Sequence, residues 1–238
     1  MRRNIVVLRT AVKLAATASG VALAITACAP VQMGAAAIVG GDRISSATLT
    51  AQSASLRKAI QTDPAKSQVT YPQTQVPQQV LSWLLRFRVR DELAAQQQVT
   101  VSQAQQQAAL ATLASQLKQS GNVTLPEAAI ANGLPPDLLP ELGRYLSIGN
   151  QLLARLDGGQ TPTTQAAQNA LTAQLNKSQC LASKQLNIKV NPQFGAFDYN
   201  QLSVVPAKST LSAPQPGTSV APSPAASPSA SAQLTPPC

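Results

Sequence analysis

Histidine is absent from this chain, which removes the Ser-His and Cys-His pairs of nucleophilic catalysis and the commonest metal ligand. The nine acidic residues are scattered. Asp91 and Glu92 are adjacent, so on a helix they do not share a face, and they read as a solvated patch rather than a working carboxylate pair. Gly40-Gly41 and Gly158-Gly159 read as turns; neither sits in a phosphate-cradling loop or a dinucleotide fingerprint, and no Cys-x-x-Cys occurs. The expectation is a protein that is not an enzyme and has no cofactor and no metal site. Composition leaves Lys, Ser and Tyr chemistry open, but no arrangement points to it.

Three cysteines remain: Cys28, Cys180 and Cys238. Ahead of Cys28, residues 1–27 carry Arg2, Arg3, Arg9 and Lys13 and then the small, apolar run "LAATASGVALAITA". That is the form of a secretory signal, and its uncharged run is short for a membrane-spanning helix of about 20 residues. Ile25-Thr26-Ala27-Cys28 resembles the lipobox of bacterial lipoproteins. The resemblance implies cleavage between Ala27 and Cys28, a lipid on the Cys28 thiol, and a tether over 28–35. The chain is then expected on the extracytoplasmic face of the cell membrane, lipid-anchored rather than integral. Such a compartment permits disulfides. A Cys180–Cys238 bridge would pin the tail to the domain. The favoured reading is instead a half-buried helix cysteine and an incidental terminal one, because a bridge closing so long a loop has no evident use.

The formal charge of +9 overstates the part beyond Cys28. Four basic residues precede Cys28 and all nine acids follow it, leaving 14 basic residues against nine acids, a mild bias of +5. Nucleic acid is not an expected partner: export argues against it, and the seven aromatics form no basic–aromatic motif. From about Ala207 the chain is Pro-, Ser- and Ala-rich and nearly uncharged, so 207–238 is expected to be disordered. Residues 36–206 are enough for one modest core.

Within that span the patterning predicts about six helices. Ala36–Val39 reads as a short strand entering the Gly40-Gly41 turn, and Ser45 or Ser46 caps a helix to about Gln61. The strongest helix is Gln78–Gln98, with Val80, Leu81, Leu84, Leu85 and Phe87 inside and Arg86, Arg90, Asp91 and Glu92 outside. Two capping boxes, Ser102-x-x-Gln105 and Thr124-x-x-Glu127, start the next two helices. A fifth is expected from Asp137 as its cap, with Pro140 in the first turn, to Leu156. A sixth is expected from Thr161-Pro162, as N-cap and N1, to Leu186. Asn187–Pro192 reads as a second short strand. Two lone strands near opposite ends predict mutual pairing. The fold class is mostly α.

The Gln-rich stretches at 96–98 and 103–107 read as polar helix faces. Trp83 and Phe87 read as core; if their face is partly exposed, they are the candidates for gripping apolar polypeptide.

The order of these pieces resembles the chaperone domain of SurA-type and PrsA-type foldases. "AAIVGGDRISSATL" is similar to their opening strand and helix cap, and "LLRFRVRDELAAQQQVTVSQAQ" to a helix, an extended link and a capped helix. "GLPPDLLPELGRYLSIGNQLL" resembles their turn and arm helix, and "IKVNPQFGAFD" the closing segment of SurA N-terminal-domain lipoproteins of high-GC Gram-positive bacteria. The resemblance covers about 36–205 and implies a helical cradle that holds unfolded or newly secreted polypeptides without chemistry. It leaves no room for a parvulin domain, whose active site normally uses histidines, so prolyl isomerisation is not expected. The alternative is a structural adaptor for one envelope protein or wall polymer. Promiscuous binding predicts an exposed apolar groove, and an adaptor predicts one defined patch. Oligomeric state is not legible.

Overall fold

The computed structural model describes residues 33–62, 69–159 and 163–207. The expected signal ending at Ala27, residues 28–32 of the expected tether with Cys28, the Thr161-Pro162 pair and the tail beyond Ala207 with Cys238 lie outside the described residues.

The chain opens with a hairpin of β1 (Ala35–Val39) and β2 (Asp42–Ser45). Val39 pairs with Asp42 across the two-residue Gly40-Gly41 turn, and Gly40 takes a φ of +60° that favours glycine. On its other side β1 pairs antiparallel with β3 (Lys189–Val190), through Ala37–Val190 and Ile38–Lys189. The expected pairing of the two end strands is therefore present. β1 is the central strand, and its three alanines are fully buried. The small side chains let helices approach it closely.

Ser45 caps α1 (Ser46–Thr62), its Oγ accepting from the Thr48 N–H at 3.0 Å. α2 (Val76–Gln96) begins two residues before its expected start, with Pro77 in the first turn where no N–H is required. Ten of its residues are buried, and it packs against α1, α5, α6, β1 and β5. Gln98, at φ +52°, turns the chain after it.

Both capping boxes form. Ser102 and Gln105 close the start of α3 (Gln103–Gly121), and Thr124 and Glu127 that of α4 (Leu125–Ala131). The Thr124 N–H holds the Glu127 carboxylate below its ordinary pKa. Gly133, at φ +74°, leads out of α4; a Cβ there would lie 2.7 Å from Gln79 Cβ.

The cap of α5 (Leu139–Leu156) departs from expectation. A 3-10 turn at Pro136–Leu138 precedes it, and Leu138 stands at the cap without a side-chain bond. Asp137 instead accepts from the Ser55 hydroxyl of α1 at 2.6 Å, a tertiary tie that a local pattern does not reveal. α6 (Gln165–Gln185) is capped by Thr164, whose hydroxyl accepts from the Ala167 N–H, so the expected Thr161 cap is replaced. A second hairpin, unforeseen in the sequence, joins β4 (Ala196–Asp198) and β5 (Ser203–Val205). Asp198 accepts from the backbone N–H groups of Asn200 and Gln201, which forms its turn. The Val204 N–H donates to Ser82 Oγ at 2.8 Å, docking β5 on α2.

The main core gathers around β1, α1 and α2, with Ile148 and Leu152 of α5 and Leu175 and Ala182 of α6. A second cluster holds Phe87, Ala129, Leu134, Leu138 and Leu142. α3 contributes one buried residue, Ala109, and lies on α5 where Gly143 comes close to Gln106 and Leu110. Among the described residues, no helix is long and apolar enough to cross a membrane.

Candidate functional site: two arginines on the aromatic face of α2

Helical spacing places Trp83, Arg86/Phe87 and Arg90 along one stripe of α2. Tyr145 of α5 completes an aromatic cluster there. Its ring centroid lies 6.3 Å from Trp83 and 5.8 Å from Phe87, both edge-on, and Trp83 and Phe87 are 5.7 Å apart. Phe87 is 8% exposed, so it belongs to the core and is closed to a partner. Trp83 is half-buried, and its indole N–H donates to the Asn132 carbonyl at 2.9 Å. Of the two aromatic candidates, only Trp83 retains an accessible face.

The arginines depart from the sequence reading, which placed both on the outside. Arg90 is 5% exposed. Its Nε and Nη2 both donate to Gln179 Oε1 of α6, at 3.1 and 2.8 Å, and its Nη1 donates to the Tyr145 carbonyl at 3.3 Å. The guanidinium carbon stands 4.0 Å from the Tyr145 ring centroid. Gly149 of α5 faces it, and a Cβ there would collide with Arg90 Nη1. Burial pushes the Arg90 pKa down, while the neighbouring Tyr145 opposes the shift. An amide oxygen, a carbonyl and a ring face thus take the place of a counter-ion.

Arg86, one turn away, is half-buried. Its Nε donates to the Leu202 carbonyl at 2.9 Å, just before β5, and its guanidinium carbon lies 5.1 Å from the Trp83 ring centroid. Burial lowers its pKa as well. A pocket of about 210 Å³ opens here, walled by Trp83, Tyr145 and Leu202 and edged by the amides of Asn176, Gln179, Asn200 and Gln201. Among the described residues, no acidic one lines it. The ion pairs among the described residues lie elsewhere, at Arg88–Asp42 and Arg144–Asp91. Asp91, read as solvated, is therefore engaged with α5.

The arrangement brings a cation, side-chain amides and an aromatic wall to one opening. No group of three or more metal-ligating side chains occurs among the described residues. Two further clefts, one lined by Leu93, Leu152, Arg155 and Leu175 and one by Gly40, Asp42, Arg88 and Glu92, bring no comparable set together.

Cys180 is buried and takes part in a disulfide, which corrects the favoured reading of a free helix cysteine. Cys28 and Cys238, the other two cysteines, lie outside the described residues, as does Ala27, where cleavage was expected.

The signal for the arginines was available in part. In "RFRVR", Arg86 and Arg90 stand four apart on the stripe of Phe87, whereas Arg88 does not. What lies across from them, Gln179, Tyr145 and Gly149, is set by α5 and α6. Comparison with protein-family models, with curated proteins and with solved structures finds no match.

Proposed function

We propose that this chain is a lipid-anchored, extracytoplasmic, chaperone-like protein that binds polypeptide without catalysis. The lipobox-like sequence at Cys28 supports the anchor. The ordered resemblance to SurA-type chaperone domains, together with the helical fold and its paired end strands, supports the chaperone-like architecture. The observation that carries binding is the Trp83–Arg86 pocket, where an aromatic face, a cation and side-chain amides border one opening.

The second reading, a structural adaptor for one envelope protein or wall polymer, is favoured by the closure of the aromatic face: Phe87 is sealed and Trp83 is fixed through Asn132. Contact is then concentrated at one patch instead of spread along an apolar groove. The deciding experiment adds the purified protein in molar series to several unrelated unfolding proteins, alongside a proline-limited refolding assay. Suppression across unrelated clients, with no faster proline isomerisation, is the expected result. Suppression of none would direct the search to a single stoichiometric partner. The anchor has its own test. Cys28→Ala releases the protein to the soluble fraction, and retention of the folded variant at the membrane would refute it.

A further inference from the structure

The geometry points to a carboxylate-binding site in the pocket beside Trp83, with Arg86 receiving a carboxylate borne by a polypeptide. This rests on the polypeptide-binding reading and names what the pocket selects.

A guanidinium has five N–H donors in a planar fork. Arg86 spends its Nε on the Leu202 carbonyl, and its guanidinium carbon lies over the Trp83 ring, two contacts that hold the group in place. Its two terminal nitrogens have no hydrogen-bond partner among the described residues, and no carboxylate there lies within ion-pair distance. Arg90 differs in that all three of its nitrogens are engaged. The pocket therefore holds one oriented, half-desolvated cation with an open edge.

The two terminal nitrogens of a guanidinium match the two oxygens of a carboxylate, and such a bidentate pair gains strength where water is partly excluded. The charge also matches: one free cation meets a single negative charge. A phosphate, carrying about two, would call for a second cation, and Arg90 is committed. Asn176 and Gln201 stand at the rim as neutral polar groups, and Trp83 with Leu202 offers an apolar wall to the chain beside the carboxylate. The carboxylate is that of an Asp or Glu side chain or of a chain terminus.

Trp83 is the sole tryptophan, so its fluorescence reports on this pocket directly. The full chain is titrated with acetyl-Leu-Glu-Leu-amide, with acetyl-Leu-Gln-Leu as the free acid, with acetyl-Leu-Gln-Leu-amide, and with inorganic phosphate. A saturating shift is expected with one or both acids, binding on the order of tenfold tighter than the neutral amide. The acid that binds identifies the source of the carboxylate. Gln201→Glu, at an exposed rim position, weakens the acid by about tenfold through like-charge repulsion while circular dichroism stays unchanged. Arg86→Gln abolishes it; should that variant fail to fold, Gln201→Glu carries the test. The site is overturned if neither acid saturates at millimolar concentration, if the neutral amide or phosphate binds equally well, or if Gln201→Glu leaves the affinity unchanged. Should the acids bind while no polypeptide is protected from aggregation, the functional reading falls and the site stands. Protection without acid preference has the opposite meaning.

Discussion

Arg86 and Arg90 stand one turn apart on α2 and meet opposite surroundings. Around Arg90 the protein has closed: α5 and α6 supply a carbonyl, an amide oxygen and a ring face, and Gly149 makes room. Around Arg86 it has stopped halfway, anchoring one nitrogen beside the Trp83 ring and leaving the rest at a pocket. A charge taken out of water is tolerated only where its donors are met. The closed end satisfies that condition internally, so its arginine serves the packing of three helices. The open end leaves part of the condition to water or to a ligand, so its arginine is available for recognition.

The largest test of this contrast is Arg90→Ala. It leaves Gln179 Oε1 without its two donors beside a void, and should cost about 3 kcal/mol or more in denaturant unfolding. A loss below ~1 kcal/mol would mean that water enters and that the closed end is open after all. Gly149→Ala approaches the same point from the other helix. The added Cβ displaces the guanidinium, and a loss of about 2 kcal/mol is expected, again by denaturant unfolding. Arg86→Ala should cost only about 1 kcal/mol, because solvent replaces one bond at a half-exposed group. Its larger consequence is the loss of the Trp83 fluorescence response to acidic peptide. If Arg86→Ala destabilised as much as Arg90→Ala, the two ends would not differ.

The smallest effect lies away from both arginines and sharpens the assignment by pH. Tyr71 donates its hydroxyl to the Ile130 carbonyl at 2.6 Å, and burial pushes its pKa up to about 12. A tyrosine ionises near 10 in the unfolded chain. The unfolded state thus loses the proton first, and Tyr71 makes stability fall as pH rises from about 10 to about 12. Tyr71→Phe should flatten that fall in alkaline denaturation curves without altering acidic-peptide binding at neutral pH. An unchanged slope would assign the alkaline loss to other groups.

Local pattern was a good guide where the deciding contacts were themselves local. Ser102 with Gln105 and Thr124 with Glu127 are three residues apart, so their capping boxes were legible in the sequence. The pairing of β1 with β3 followed from two lone strands. The β4–β5 hairpin escaped because its turn depends on the Asp198 side chain and its support on Ser82, which is 122 residues from Val204. Asp137 looked like a cap and serves as a partner for Ser55, 82 residues away. In each case a polar side chain had a local and a distant use, and only packing chose between them.

The sequence by itself determined which chemistry is absent, since a chain without histidine forms no histidine-based site, and it determined the order and the local starts of the helices. It also placed Trp83 and Phe87 on the strongest helix at helical spacing, because that spacing is intrinsic to the backbone. Only the tertiary structure decided that Phe87 would be sealed, that Arg90 would be buried without a carboxylate, and that Arg86 would keep an open edge. Spacing says which side chains share a face; what meets that face depends on helices α5 and α6, which begin more than 40 residues further along the chain.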